Sequence, residues 1–542
     1  MYSIDQNCHS LWDTVPKLQA LGRIGRPVLH CIEDIDVAFT SMGASAESEP
    51  LHLAPERFHR SGGSDWGAAL YYLKFLGRLP VEIRDWEPLT GMKTNALARQ
   101  LGRSVDDLYD RFSVSDNVQL IGPSYVGDRN HHRLIADLTV AEAAPFVREI
   151  IALAKADVHE RFPGRAAQER TREWFAREER LVEDLLSRHA DSRLVDLYRD
   201  WLTPYLSGNV RIDLTSSLFP CRPDAPSAQL LDVFVRHNEQ ATALYNEAVQ
   251  EAGAGLHPLD VGAGEMPFFA TLVRDGRQVR TGVFLQDGAL RVGDSTFPLA
   301  ADGAPPLARM AAAGVQCVAG KALVLAIQAR LGPHGRALAL PYRGSLYMPA
   351  SVRLAEKLAA AGLLRGELKP IVRVRFRLLD RMGELDTVVR LPAHVAAAMG
   401  REEAPARDFA ESWADLVRQA CARLESFRQP EGRERWQRDN YPDLLRAVEE
   451  LDRLRRQMAE RDPKSPEIRA LWPKTKELQA GLLERLVQQI DTDWQVRELD
   501  YFDSRGALLP WCIALGGEEF YRRVIEEAEV YAEGSPEPGR QG

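Results

Sequence analysis

Apolar residues recur along this chain in two rhythms, and the alternation between them predicts an α/β protein. Short apolar runs bounded by glycine, proline or serine read as buried strands at 27–32 (PVLHCI), 79–83, 117–121 and 210–214. Between them, apolar positions return every three or four residues at 66–76, 139–156 and 166–201, the spacing of helices with one buried face. Thr139 followed by Glu142 is a capping-box signature at a helix start. Residues 228–252 predict one long helix, ended by Gly253 and Gly255.

The pattern changes at 281–298. TGVFL and ALRVG flank Asp287-Gly288, a pair that favours a tight hairpin because glycine tolerates positive φ. Then 307–364 alternates strand 315–318, helix 322–331, strand 337–340 and helix 351–361. That order predicts parallel strands joined by a crossover helix, with Gly320 and Arg343 at corresponding strand ends, where ligands commonly bind. A second hairpin is expected from 371–379 and 385–391. Helices follow at 413–427, 444–459 and 467–490. Leu445, Val448, Leu451 and Leu454 stripe one arm of a helix hairpin, and Leu478, Leu482, Leu486 and Ile490 stripe the other. This is either a short intramolecular coiled coil or a self-association surface. The apolar run 508–514, Gly516-Gly517 and a helix at 518–530 complete the pattern.

The expected organisation is an N-terminal α/β region (1–205), a central α/β region with small hairpins (206–400), a helical extension (401–500), a return segment (501–533) and a polar tail (534–542). The fold class is α/β: a Rossmann-like, mostly parallel sheet with a C-terminal helical hairpin or short coiled coil.

Composition narrows the function classes. The net charge of -9 gives no overall attraction to nucleic acid or anionic lipid. The 6 cysteines are too sparse for a disulfide scaffold in 542 residues, so reduced thiols and a cytoplasmic location are expected. The opening MYSIDQNCHSLWDTV lacks a basic segment followed by an apolar core. No apolar run approaches the roughly 20 residues that span a bilayer.

Candidate chemistry lies in four places. The segment GVQCVAGKALVL resembles a strand–glycine–helix ligand loop, in which Gly320 allows close backbone approach and Lys321 adds positive charge. The dedicated phosphate-loop and dinucleotide fingerprints are absent, and no cofactor is specified. In PYRGSLYMP, Arg343 can grip a carboxylate or phosphate, while Ser345 and Tyr347 can orient a polar ligand. In DRNHH, His131 and His132 are acid–base candidates, with backbone-bonded loop histidines as the alternative. In GAGEMPFF, Glu265 is a third such candidate, because apolar surroundings raise a carboxyl pKa; the alternative is a carboxylate that fastens the segment to backbone amides. No metal-ligand set is recognisable.

SRGALLPWCIALGGEEFYRRV at 504–524 resembles a stretch of the bacillithiol-forming cysteine ligases. The resemblance implies a core related to Rossmann folds and a coiled-coil extension, and carries no catalytic residue over. The combined expectation is an enzyme acting on a small anionic or phosphorylated metabolite by ligation or group transfer. Metabolite hydrolysis, and a non-catalytic ligand-binding or assembly role using the helical extension, are the alternatives.

Overall fold

The computed structural model describes residues 1–5, 11–36, 81–105, 107–108, 114–115, 132–252, 258–343, 347–461, 466–500 and 508–534. The chain divides into two compact units: Met1–Phe75, Gln119–Arg381 and Tyr501–Gly542 make the first, and Leu76–Val118 and Met382–Asp500 the second.

The principal strands of the first unit are, in chain order, β1 (Tyr2–Asp5), β2 (Val28–Ile32), β3 (Val210–Leu214), β4 (Glu265–Arg274), β5 (Arg277–Gln286), β6 (Ala289–Val292), β7 (Ser295–Pro298), β8 (Val315–Gly320), β9 (Leu338–Pro341), β10 (Ile371–Arg375) and β11 (Glu529–Ala532). The helices that matter for the site are α1 (Leu11–Arg23), α2 (Arg165–Arg188), α3 (Ala322–Gln328), α4 (Met348–Ala360) and α5 (Leu508–Glu526).

A six-stranded sheet runs β11-β10-β9-β1-β2-β3. Every neighbouring pair is parallel except β10 and β11. The direction of chain progress reverses between β1 and β9: α1 leads from β1 to β2 on one side, while β9 and α4 lead to β10 on the other. Such a reversal opens a crevice at the carboxyl ends of the two central strands. Leu338, Leu340 and Ile371 pack with Ala326 of α3 and Met348 of α4, which covers one face of the sheet.

The second sheet is antiparallel, in the order β7-β6-β5-β4-β8. Its β5–β6 turn is the expected one, with both Asp287 (φ 49) and Gly288 (φ 72) left-handed. Here the structure corrects the sequence reading of 307–364. β8 does not lie beside β9; it pairs antiparallel with β4, with Cys317 opposite Thr271. The physical reason is burial on both sides. Val315 and Val318 join the cluster around Met266 and Phe268, whereas Cys317 and Ala319 join that around Phe219 and Phe269. A strand buried on two faces reads as a continuous apolar run, like one from a parallel sheet.

Three further expectations change. The long helix at 228–252 breaks at His237 (φ -120, ψ 38). There the Asn238 side-chain amide donates to Phe234 O at 3.2 Å, a local bond that competes with the helix ladder. The hairpin from 371–379 and 385–391 does not form: β10 pairs parallel with β9, and Val388–Arg390 pairs with Glu403–Pro405. The helix expected to reach 530 stops at Glu526, because Glu529–Ala532 adds to the edge of the main sheet instead. The capping box at Thr139 forms as read, with its hydroxyl accepting from Glu142 N.

The second unit is chiefly helical. Trp86, Leu424, Phe427, Leu486, Val487 and Ile490 share its core. Pro442–Arg461 packs on Pro466–Arg497. Leu482, Leu486 and Ile490 of the expected stripe are buried. Among the described residues, no helix is long and apolar enough to cross a membrane.

Candidate functional site

β2 runs directly into Glu33-Asp34-Ile35-Asp36 at its carboxyl end. Asp34 is buried, and its carboxylate accepts a 2.9 Å bond from Ser216 N, just beyond β3. Its carbonyl accepts from Ala136 N at 2.9 Å. Burial pushes the Asp34 carboxyl above its usual range, and the hydrogen bonds from Ser216 oppose that rise without cancelling it. The Thr215 hydroxyl ties the same corner to Ile32 O at 3.0 Å. Two residues on, buried Asp36 pairs with the buried Arg280 guanidinium at 3.2 Å, which in turn lies 4.5 Å above the Phe269 ring. The carboxyl end of β2 is thus held from three directions, with a buried carboxyl of raised pKa at its centre.

The carboxyl ends of β9 and β10 have the opposite charge. Tyr342 and Arg343 follow β9, and Arg375 closes β10. Pro341 is registered with Val374, which brings Tyr342 level with Arg375. The Arg375 guanidinium lies 4.1 Å over the Tyr342 ring, a stack that suits arginine's planar head. Arg373, on the same face of β10, donates to Pro341 O at 3.0 Å. Arg377, left-handed at φ 51, pairs with Glu529 at 2.6 Å. Arg343 and Tyr347 are both half-buried. An arginine-rich stretch therefore follows β9 and β10 on one side of the β1–β9 reversal, and the Asp34 corner lies beyond β1 on the other.

Among the sequence-selected residues, the structure joins Glu265 and Lys321. Glu265 begins β4, Lys321 follows β8, and the ammonium is 2.5 Å from the buried carboxylate. The other Glu265 oxygen accepts from Asp260 N at 3.0 Å. The expected partnership of Gly320 and Arg343 as parallel strand ends is corrected with β8 itself, since those strands belong to different sheets.

Gly320 serves packing. A Cβ there would sit 2.5 Å from Leu325 N and 2.5 Å from the Val324 side chain. Its N–H is held by the buried Gln328 side chain at 2.7 Å. α3, with 7 residues, is a short turn of helix rather than an extended dipole. His131 and Ser345 lie outside the described residues. His132 is described in its backbone, which pairs with Arg280 of β5.

Three buried thiols, Cys31, Cys221 and Cys317, are unsuited to nucleophilic work at neutral pH. Desolvation raises Cys31 and Cys317 well above the ordinary thiol range and pushes Cys221 up to about 11. In the segment at 504–524, the Ile513, Ala514 and Leu515 carbonyls accept from the Arg170 guanidinium of α2, where Gly517 (φ 79) breaks α5. That double glycine is a helix break with a side-chain cap.

Asp34, Arg375 and Arg377 were not selected from the sequence. A signal was available for each: CIEDID sets three carboxylates directly after an apolar strand, and IVRVRFR repeats arginine at alternate strand positions. No family model, curated protein or solved structure matches this chain.

Proposed function

We propose that the protein is an enzyme that binds a small anionic or phosphorylated metabolite at the carboxyl edge of its six-stranded sheet and carries out ligation or group transfer there. The observation that carries this reading is the polarised edge. Arg343 and Arg375 flank the β1–β9 crevice, and the buried Asp34, its pKa raised, stands on the opposite side. The arginines hold the anion and stabilise charge that develops on it, and Asp34 gives or takes a proton. Positioning and electrostatics carry the reaction.

The strand order, with its reversal beside β1 and antiparallel last strand, supports a Rossmann-like class for the sheet. The likeness of 504–524 to bacillithiol-forming cysteine ligases favours ligation over hydrolysis. On the same reading the protein is cytoplasmic, and its helical hairpin is available for self-association.

Ligand-observed NMR with a panel of phosphorylated and carboxylated metabolites tests the proposal. Anionic hits should bind wild type and lose at least tenfold in affinity with Arg375→Gln, the size of one charge-assisted bond of about 1.5–3 kcal/mol. Hits indifferent to both Arg343→Gln and Arg375→Gln contradict the proposal.

A further inference from the structure

The last strand of the sheet is fastened by carboxylates to the same arginine-rich edge. Glu533 pairs with Arg373 at 3.1 Å, Glu529 with Arg377 at 2.6 Å, and Glu527 contacts Arg381. The three glutamates lie on or beside β11, and the three arginines on or just beyond β10. Glu529 is also the registered cross-strand partner of Arg375, the residue stacked on Tyr342. The C-terminal segment thus supplies negative charge where the proposed anion site supplies positive charge.

Edge strands often carry charges that keep other chains from pairing with them. That role calls for solvated side chains, and Glu529 does not fit it. Its side chain is only 17% exposed. One carboxylate oxygen meets Arg377, while the other is buried without a hydrogen-bond partner. A buried acceptor left unmade is costly, so this contact is poorly satisfied on the glutamate side. On the arginine side, Arg377 keeps a left-handed backbone that non-glycine residues rarely adopt. β11 has only four residues, all half-buried.

We propose that the anion site extends along the end of β10 to Arg377 and that β11 is an electrostatic latch on it, in which Glu529 competes with the bound anion for Arg377. This inference rests on the function proposed above and adds a regulation of the same site. With the latch closed, Glu529 lowers anion affinity. When an anion takes the guanidinium, Glu529 loses its partner and β11 loosens from β10. The coupling is reciprocal by linkage: whatever loosens β11 tightens anion binding by the same factor.

The test uses the full chain with inorganic pyrophosphate as the probe, binding measured by calorimetry and β11 opening by amide hydrogen exchange. Glu529→Gln keeps the side-chain size and removes the charge. It should bind pyrophosphate about tenfold more tightly than wild type, within the usual range of allosteric coupling. In wild type, saturating pyrophosphate should speed exchange at 530–533, and Glu529→Gln should show that faster exchange without the probe. If Glu529→Gln does not fold, the wild-type exchange measurement with and without pyrophosphate decides alone. Binding abolished by Arg375→Gln but unchanged by Glu529→Gln overturns the latch and leaves the site standing. Pyrophosphate that binds none of these proteins overturns the site, and the latch with it. Slower exchange at 530–533 on saturation also overturns the latch.

Discussion

The Lys321 ammonium donates a 2.5 Å hydrogen bond to Glu265 Oε1 across 56 positions of sequence, joining the first residue of β4 to the turn that leaves β8. The carboxylate is almost wholly buried and the lysine three-quarters so. Breaking a buried pair from one side strands the remaining charge and costs about 3 kcal/mol. Lys321→Met should lose about that much stability in urea unfolding, and adding Glu265→Gln should restore more than half of it. Strictly additive losses in this double-mutant cycle would falsify the pairing as an energetic unit.

Asp34 gives a pH dependence with a definite sign. Its folded pKa lies above the unfolded value. The stability it contributes is therefore complete below the unfolded pKa and is lost as pH rises through the folded pKa. At pH 7, above the unfolded pKa, the raised folded pKa opposes folding, so Asp34→Asn should melt higher than wild type. That advantage should vanish below about pH 4, near the ordinary aspartate pKa. The same variant should lose turnover. Thermal melts across pH check this, and a variant less stable at pH 7 contradicts the assignment.

Gly320 and Arg170 test the packing of two motifs that the sequence singled out. Gly320→Ala places a Cβ against the Leu325 backbone, which cannot swing aside as a side-chain tip can. A loss of about 1–3 kcal/mol is expected from such overpacking. Unchanged denaturation would return this glycine to a ligand role.

Arg170→Met should destabilise α5 by about 2 kcal/mol, the scale of charge-assisted bonds to backbone carbonyls. Hydrogen exchange should then rise first at 508–517. Uniform acceleration along the whole chain would place the effect elsewhere.

The sequence made the element types more legible than their partners. Asp287-Gly288 named its turn because positive φ is a local demand, and Thr139 with Glu142 named its cap for the same reason. β8 was found as a strand but assigned to the wrong sheet, because burial on both faces removes the alternation that marks an antiparallel strand. Glu529 and Val530 read as the end of a helix, and only pairing with β10 decides otherwise. The site was partly visible. Arg343 follows β9 as expected, whereas Lys321 meets Glu265, two residues whose proximity no local pattern encodes. Arg375 stayed hidden because an arginine inside a strand reads as solvent-facing until a neighbour such as Tyr342 covers it.

The central claim is that an anion sits in the crevice between β1 and β9. A crystal structure of the complex with the tightest anionic ligand from the metabolite panel measures this directly. The account predicts ligand density within hydrogen-bonding distance of Arg343 or Arg375 and on the same edge as Asp34. A ligand seated wholly elsewhere, with both arginines untouched, would contradict it.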